Sequence, residues 1–196
     1  MPVPWYRVAC PPRLSRRTGT TFVAGVGGWG IYVQRRFPDL SVDNMFGGGL
    51  VFVPVADSPA APFLRLLALP DGGVLIGYVG LSGHAYLARV AANGDVGETA
   101  ALQVWPAHLA RQPDGSILVA GSFRQSFATS EAPEVLTRFD VNLSPDDHFG
   151  TNGIVRMRGA HPAILGVTTT FHQRIVVGLE RGSANHLAFV FLRLRE

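Results

Sequence analysis

The run Gly25-Val26-Gly27-Gly28-Trp29-Gly30 satisfies G-x-G-x-x-G, the spacing with which a glycine turn brings a helix N-terminus against a pyrophosphate. That chemistry needs a helix opening at the third glycine. IYVQRRFP follows instead, β-branched and aromatic and closed by a proline, so no nucleotide cofactor is expected. His84, His108, His148, His161, His172 and His186 are scattered, with no pair at i, i+4 and no neighbouring cysteine. They read as surface or edge residues, with a zinc site assembled from separate parts of the fold as the alternative. The acidic turns Asp39 to Asn44 and Asp140 to Asn152 offer oxygens to calcium, yet neither has the alternating spacing and terminal Glu of an EF-hand loop. Trp29, Trp105 and Phe123 would either line a ligand face or pack a core. With no G-x-S-x-G elbow present, the expectation is no catalytic residue, no cofactor site and no metal site.

The remaining charge is equally spare. The formal net charge is +3, and every basic side chain that carries it is arginine. Arg7, Arg13, Arg16 and Arg17 precede the first acid, Asp39, and would suit a phosphate backbone, although no aromatic interleaving or recognition helix stands beside them. A solvated loop is the preferred reading, and nucleic acid is not the expected partner. Cys10 stands alone, so no intrachain disulfide forms. MPVPWYRVACPPRLSRR holds no apolar run of signal-peptide length, and no stretch approaches eighteen apolar residues, so the chain reads as soluble with no membrane span.

The elements that would position any site come from composition and repetition. Gly (23) and Pro (14) are abundant and charged residues only 16%, which fits short buried strands joined by tight turns. IYVQRRF, AYLARV, EVLTRF and AFVFLRL align with an arginine near each end, at Arg36, Arg89, Arg138 and Arg193, in steps of 53, 49 and 55. A second set ends at Gly25, Tyr78, Gly121 and Leu179, in steps of 53, 43 and 58. A unit of about fifty residues therefore recurs about four times.

Each unit reads as four antiparallel strands with Pro-Asp-Gly or Asn-Gly turns. In the second they are FLRLLAL, VLIGYV, AYLARVA and AALQVW. Second strands such as VLI, ILVA and IVV are apolar on both faces, as in sheets stacked between sheets. The expected fold is all-β, a β-propeller of about four blades near 1-55, 62-105, 107-158 and 162-196, forming one domain. The last blade lacks a fourth strand. Either the segment from Val3 to Tyr6 closes it, or the chain is part of a larger propeller.

QPDGSILVAGSF followed by VLTRFDVNLSPDDHFGTNGIV resembles the delta-60 repeat, a bacterial repeat of similar pattern. LPDGGVLIGY with AYLARVAANGDVG is a second match, and IYVQRRFPDLSVDNMFGGGLV is similar to the back half. Phe46-Gly47 and Phe149-Gly150 stand 103 residues apart at the repeat's Phe-Gly position. The resemblance implies a propeller-like fold and nothing about activity, since the matching residues are turn formers and core strands. The leading functional expectation is a non-enzymatic scaffold whose loop face or open blade edge binds another macromolecule, a protein partner or a second copy through that edge. An enzyme or small-ligand site at a central channel is the alternative. Any function should lie where the copies disagree, as in the lengthened loop from Arg124 to Pro133.

Overall fold

Val74-Leu75-Ile76-Gly77-Tyr78-Val79 is buried at all six positions, which a strand achieves only when both faces of its sheet are covered. By contrast Val51–Pro54 alternates buried and exposed, the pattern of a strand with one wet face. These two patterns, central and outer, recur through the computed structural model. It describes residues 5–9, 19–28, 30–55, 57–60, 63–123, 133–157, 163–170, 174–181 and 188–194. Apart from one 3-10 turn at Gly47–Gly49, all regular structure among them is strand.

The strands form four antiparallel sheets, each a meander. The first holds β1 (Trp5–Ala9), β2 (Thr21–Gly27), β3 (Gly30–Arg36) and β4 (Val51–Pro54). The second holds β5 (Arg65–Ala68), β6 (Val74–Val79), β7 (Ala85–Val90) and β8 (Val96–Leu102). The third holds β9 (Val104–Arg111), β10 (Ile117–Phe123), β11 (Glu134–Phe139) and β12 (Ile154–Arg156). The fourth holds β13 (Ala163–Thr169), β14 (Ile175–Arg181) and β15 (Ala188–Leu194). The chain divides into two compact units, Met1–Ala101 and Leu102–Glu196. In the first unit Phe22, Ala24, Ile31 and Val53 of one sheet pack on Leu66, Val74, Ile76 and Ala88 of the next. In the second, Leu118, Ala120 and Leu136 pack on Ile164, Ile175 and Val177. Burying each such large aliphatic stabilises by about 1.5–3 kcal/mol.

Three expectations need correction. The second sheet's outer strand is Val96–Leu102, not AALQVW. Its exposed Gly97, Glu98 and Thr99 hide it from an apolar pattern, while Val104 and Trp105 already belong to β9. Pro106 lies inside that edge strand at a bulge opposite Gly121, where a residue without an N–H is tolerated. Second, strand register places Arg35, not Arg36, in line with Arg89, Arg138 and Arg193. Each lies opposite the equivalent residue of its neighbouring strand, Phe22, Leu75, Leu118 and Val176. The second alignment set, Gly25, Tyr78, Gly121 and Leu179, falls three residues beyond these partners in every sheet. Third, Trp5 and Tyr6 pair with Gly25 and Ala24 as part of β1, so they serve the first sheet and do not complete the fourth.

Candidate functional site

The ends of the sheets differ in kind. At one end lie the turns between first and second strands and between third and fourth strands. There Arg35 Nε donates to Asp43 Oδ2 at 2.8 Å, its Nη1 donates to the carbonyls of Gly72 and Ala92, and its guanidinium lies 5.0 Å from the centre of the Phe46 ring. The third sheet repeats the arrangement: Arg138 Nε donates to Asp146 Oδ2 at 2.7 Å, with the guanidinium 4.7 Å from the Phe149 ring. These are structural staples, with Phe46 and Phe149 as the rings under the two arginines. The acidic turns are likewise occupied. Asp39 accepts from the backbone and hydroxyl of Ser41, and Asp140 accepts from the N–H groups of Asn142 and Ser144. A cleft of about 460 Å³ also lies here, lined by Gly150, Thr151, Asn152, Ile154, Val155 and Arg156.

The opposite end carries the turns between second and third strands, and there the copies diverge. In the second sheet, Ser82 Oγ bonds the Asp57 carboxylate at Oδ2 and lies 2.6 Å from His84 Nδ1. Asp57 arrives from the β4–β5 connection, which is tied to the β6–β7 turn by the Pro59–Gly80 bridge and by Leu81 N–H donating to Ser58 O. Its carboxylate rests on Gly80, where a Cβ would come within 1.9 Å of Oδ2, so only glycine leaves room for it. Beneath, the Tyr78 and Tyr86 rings stack at 5.2 Å. Burial, then the neighbouring Tyr86 and the Asp57 charge, push the Tyr78 hydroxyl up to about 12, so it stays protonated through neutral pH.

In the third sheet, Ser122 Oγ donates to Glu134 Oε1 at 2.8 Å, while Glu134 Oε2 is buried with no hydrogen-bond partner. Burial raises the carboxyl above its ordinary range, and the Ser122 bond only partly offsets this. The same register position holds Val26 opposite Ile31 in the first sheet and Val79 opposite Ala85 in the second. The scaffold therefore accepts apolar side chains there, and the carboxyl is a departure that costs stability.

Of the residues that composition and spacing singled out, Gly25 and Gly27 lie in β2, Gly28 turns with φ +57° and Gly30 opens β3. The glycine run is a hairpin, and a strand stands where the fingerprint would need a helix. His108 Nε2 lies 2.9 Å from Ile164 O, holding β9 to β13, and His148 is fully exposed beside Asp146. His161, His172 and His186 lie outside the described residues, as do Cys10, Arg13, Arg16, Arg17, Trp29 and the loop from Arg124 through Ala132. Arg7 falls in β1, Trp105 in β9 and Phe123 in β10. Among the described residues no three His, Cys, Asp or Glu side chains gather as a metal site. No described helix is long and apolar enough to cross a membrane. The two polar clusters escaped the sequence because Asp57 meets Ser82 only through the fold. Glu134 carried one readable signal, an acid at a position that is apolar in the other copies.

No protein-family model matches this sequence, and no curated protein matches it. Among solved structures the chain is similar to an α-L-arabinanase from Penicillium chrysogenum complexed with arabinobiose. The identity is 15% and the TM-score 0.51, over 92% of this chain and 61% of that one. It is also similar to a protein of unknown function from Bacteroides caccae, at 15% identity and a TM-score of 0.43, over 88% of this chain and 56% of that one. The chain thus spans about three-fifths of the length of the solved structures it matches. The arabinanase likeness bears on the fold alone: the chain is all-β, made of several antiparallel sheets, with a propeller among its structural neighbours.

Proposed function

We propose that this chain is a protein-interaction module of the delta-60 repeat kind, made of about four propeller blades and associating with a second copy of itself. One observation carries the reading. Of the nine large apolar side chains that the described residues expose, five lie between Phe37 and Phe52: Phe37, Leu40, Met45, Leu50 and Phe52. Four of them stand in the β3–β4 connection and Phe52 in β4 itself, which pairs only with β3 among the described strands. Exposed apolar side chains beside an open sheet edge favour association. The fourth sheet, with three described strands, offers a further edge at β15.

Molar mass by light scattering tests this. A dimer is expected, reduced to a monomer by Met45→Glu with Phe52→Glu, both at exposed positions. A second reading, an enzyme or small-ligand binder, is supported by the half-buried Ser122–Glu134 pair with its buried, unpartnered Oε2 and by the arabinanase likeness. A monomer at every concentration, with turnover of some substrate abolished by Glu134→Gln, would overturn the first reading in favour of the second.

A further inference from the structure

The Asp57–Ser82–His84 cluster has the components of a nucleophile triad in a different order, and a count of its protons shows what that order does. A serine hydroxyl has one proton and two lone pairs. Ser82 Oγ donates to Asp57 Oδ2, since a carboxylate oxygen only accepts, so the hydroxyl proton goes to the carboxylate. Both lone pairs then accept: one from the backbone N–H of His84 at 3.4 Å, the other from His84 Nδ1 at 2.6 Å. Nδ1 must therefore carry a proton, and the lone pair of the neutral imidazole is left on Nε2, on an exposed side chain. Ser82 is unsuited to attack, because its proton already belongs to a carboxylate that would repel a developing oxyanion. The reactive atom is at the far end of the chain.

We propose that His84 is a general base whose Nε2 takes a proton from water, with Ser82 and Asp57 as positioning residues that hold the proton on Nδ1 and fix the orientation of the ring. The chemistry is hydrolysis of small neutral esters. Water oxygen bonds to the acyl carbon as Nε2 takes one water proton. The acyl–oxygen bond to the alcohol then breaks, and the Nε2 proton passes to the leaving alkoxide. Acid and alcohol result, with no oxidant or cofactor. The Asp57 charge disfavours anionic substrates, and Leu81, 71% exposed beside Ser82, offers an apolar side chain to the acyl group. This activity is separate from the association proposed above and involves none of the same residues.

The probe is p-nitrophenyl acetate at neutral pH. The full chain is expected to hydrolyse it above background, His84→Gln to lose that rate, and Ser82→Ala or Asp57→Asn to lower it about tenfold, less than the roughly 10²–10⁴-fold that a positioned general base itself contributes. His148→Gln removes an exposed histidine without such a relay and should leave the rate unchanged. Nitrogen-15 NMR supplies a readout that a merely structural role would not move. His84 should be the Nδ1–H tautomer in the full chain and revert in Ser82→Ala toward the mixture of free histidine. An Nε2–H tautomer in the unaltered protein, or a rate that survives His84→Gln, overturns the proposal.

Discussion

Arg35 and Arg89 occupy the same register position in neighbouring sheets yet end in different environments. Arg35 reaches forward to Asp43, and the pair is nearly enclosed, with side chains 12% and 6% exposed. Arg89 reaches back to Asp71 in the turn before β6, where the side chains are 38% and 48% exposed. The difference lies eight residues on. Asp43 and Asp146 stand at that offset from Arg35 and Arg138, whereas Arg89 has Gly97 there. Strand pairing thus sets where the arginine starts, and one turn residue decides whether it becomes a buried staple or a surface pair.

If the contrast is right, the largest effect belongs to the first sheet. Asp43→Ala strands a guanidinium that also serves the Gly72 and Ala92 carbonyls, and Arg35→Ala strands Asp43. Each is expected to cost about 3 kcal/mol, read as a lower urea midpoint at unchanged slope. A loss as small as that of an exposed pair, under about 1 kcal/mol, would break the comparison.

The third sheet sharpens it through pH. Burial acts to raise the Asp146 carboxyl, but bonds from Arg138 and the His148 N–H, with the Arg138 charge, outweigh it and hold the group below the ordinary 3.8. A carboxyl depressed in the folded state stabilises above its unfolded value, and that stability is lost as pH falls through the folded one. Asp146→Asn should therefore cost about 1–2 kcal/mol at pH 7, with the difference from the unaltered protein closing only below pH 3.8. A constant difference from pH 7 into that acid range would show that the charge is not what matters.

The strands were legible because they obey local rules. The wholly apolar β6 read as central, and Pro-Asp-Gly turns fell where Gly72 and Gly115 take positive φ. What escaped was non-local or polar. β8 carries glycine, glutamate and threonine on an outer edge, where exposure removes any apolar signal. The Arg35 register was off by one because two arginines adjoin, and only pairing with Phe22 distinguishes them. Of the polar clusters, Ser82 and His84 are neighbours in sequence, but Asp57 joins them only after two connections fold together.

The turns offer a smaller test. Leu40 and Leu143 hold equivalent left-handed positions, φ +69° and +63°, where the second sheet has Gly94 at +93°. Leu40 is 46% exposed and Leu143 only 8%. Leu40→Gly should stabilise by about 1 kcal/mol, since the backbone strain relieved, about 1–3 kcal/mol, exceeds the roughly 0.5–1 kcal/mol that glycine costs in chain entropy. Leu143→Gly should destabilise, because lost burial of about 1.5–3 kcal/mol exceeds that net gain. Equal shifts at both sites would mean that burial does not separate these copies.

The smallest effect is also the most direct, since it attempts to convert one environment into the other. A Cβ at Gly97 would meet Arg89 O at 3.4 Å and Arg89 Cβ at 3.9 Å, ordinary contact distances, and Gly97 has no positive φ. Gly97→Asp would therefore place a carboxylate at the offset that Asp43 occupies from Arg35. Replacing a strand glycine gains about 0.5–1 kcal/mol by itself, so Gly97→Asn serves as the neutral control. The Asp variant should exceed the Asn variant by about 0.5 kcal/mol, with the excess shrinking in salt because β8 is exposed. If Arg89 changes partner, a following Asp71→Asn should cost less in the Gly97→Asp background than in the unaltered chain. An equal cost in both would show that Arg89 keeps Asp71, and that proximity to the turn before β6, not the missing acid, sets its choice.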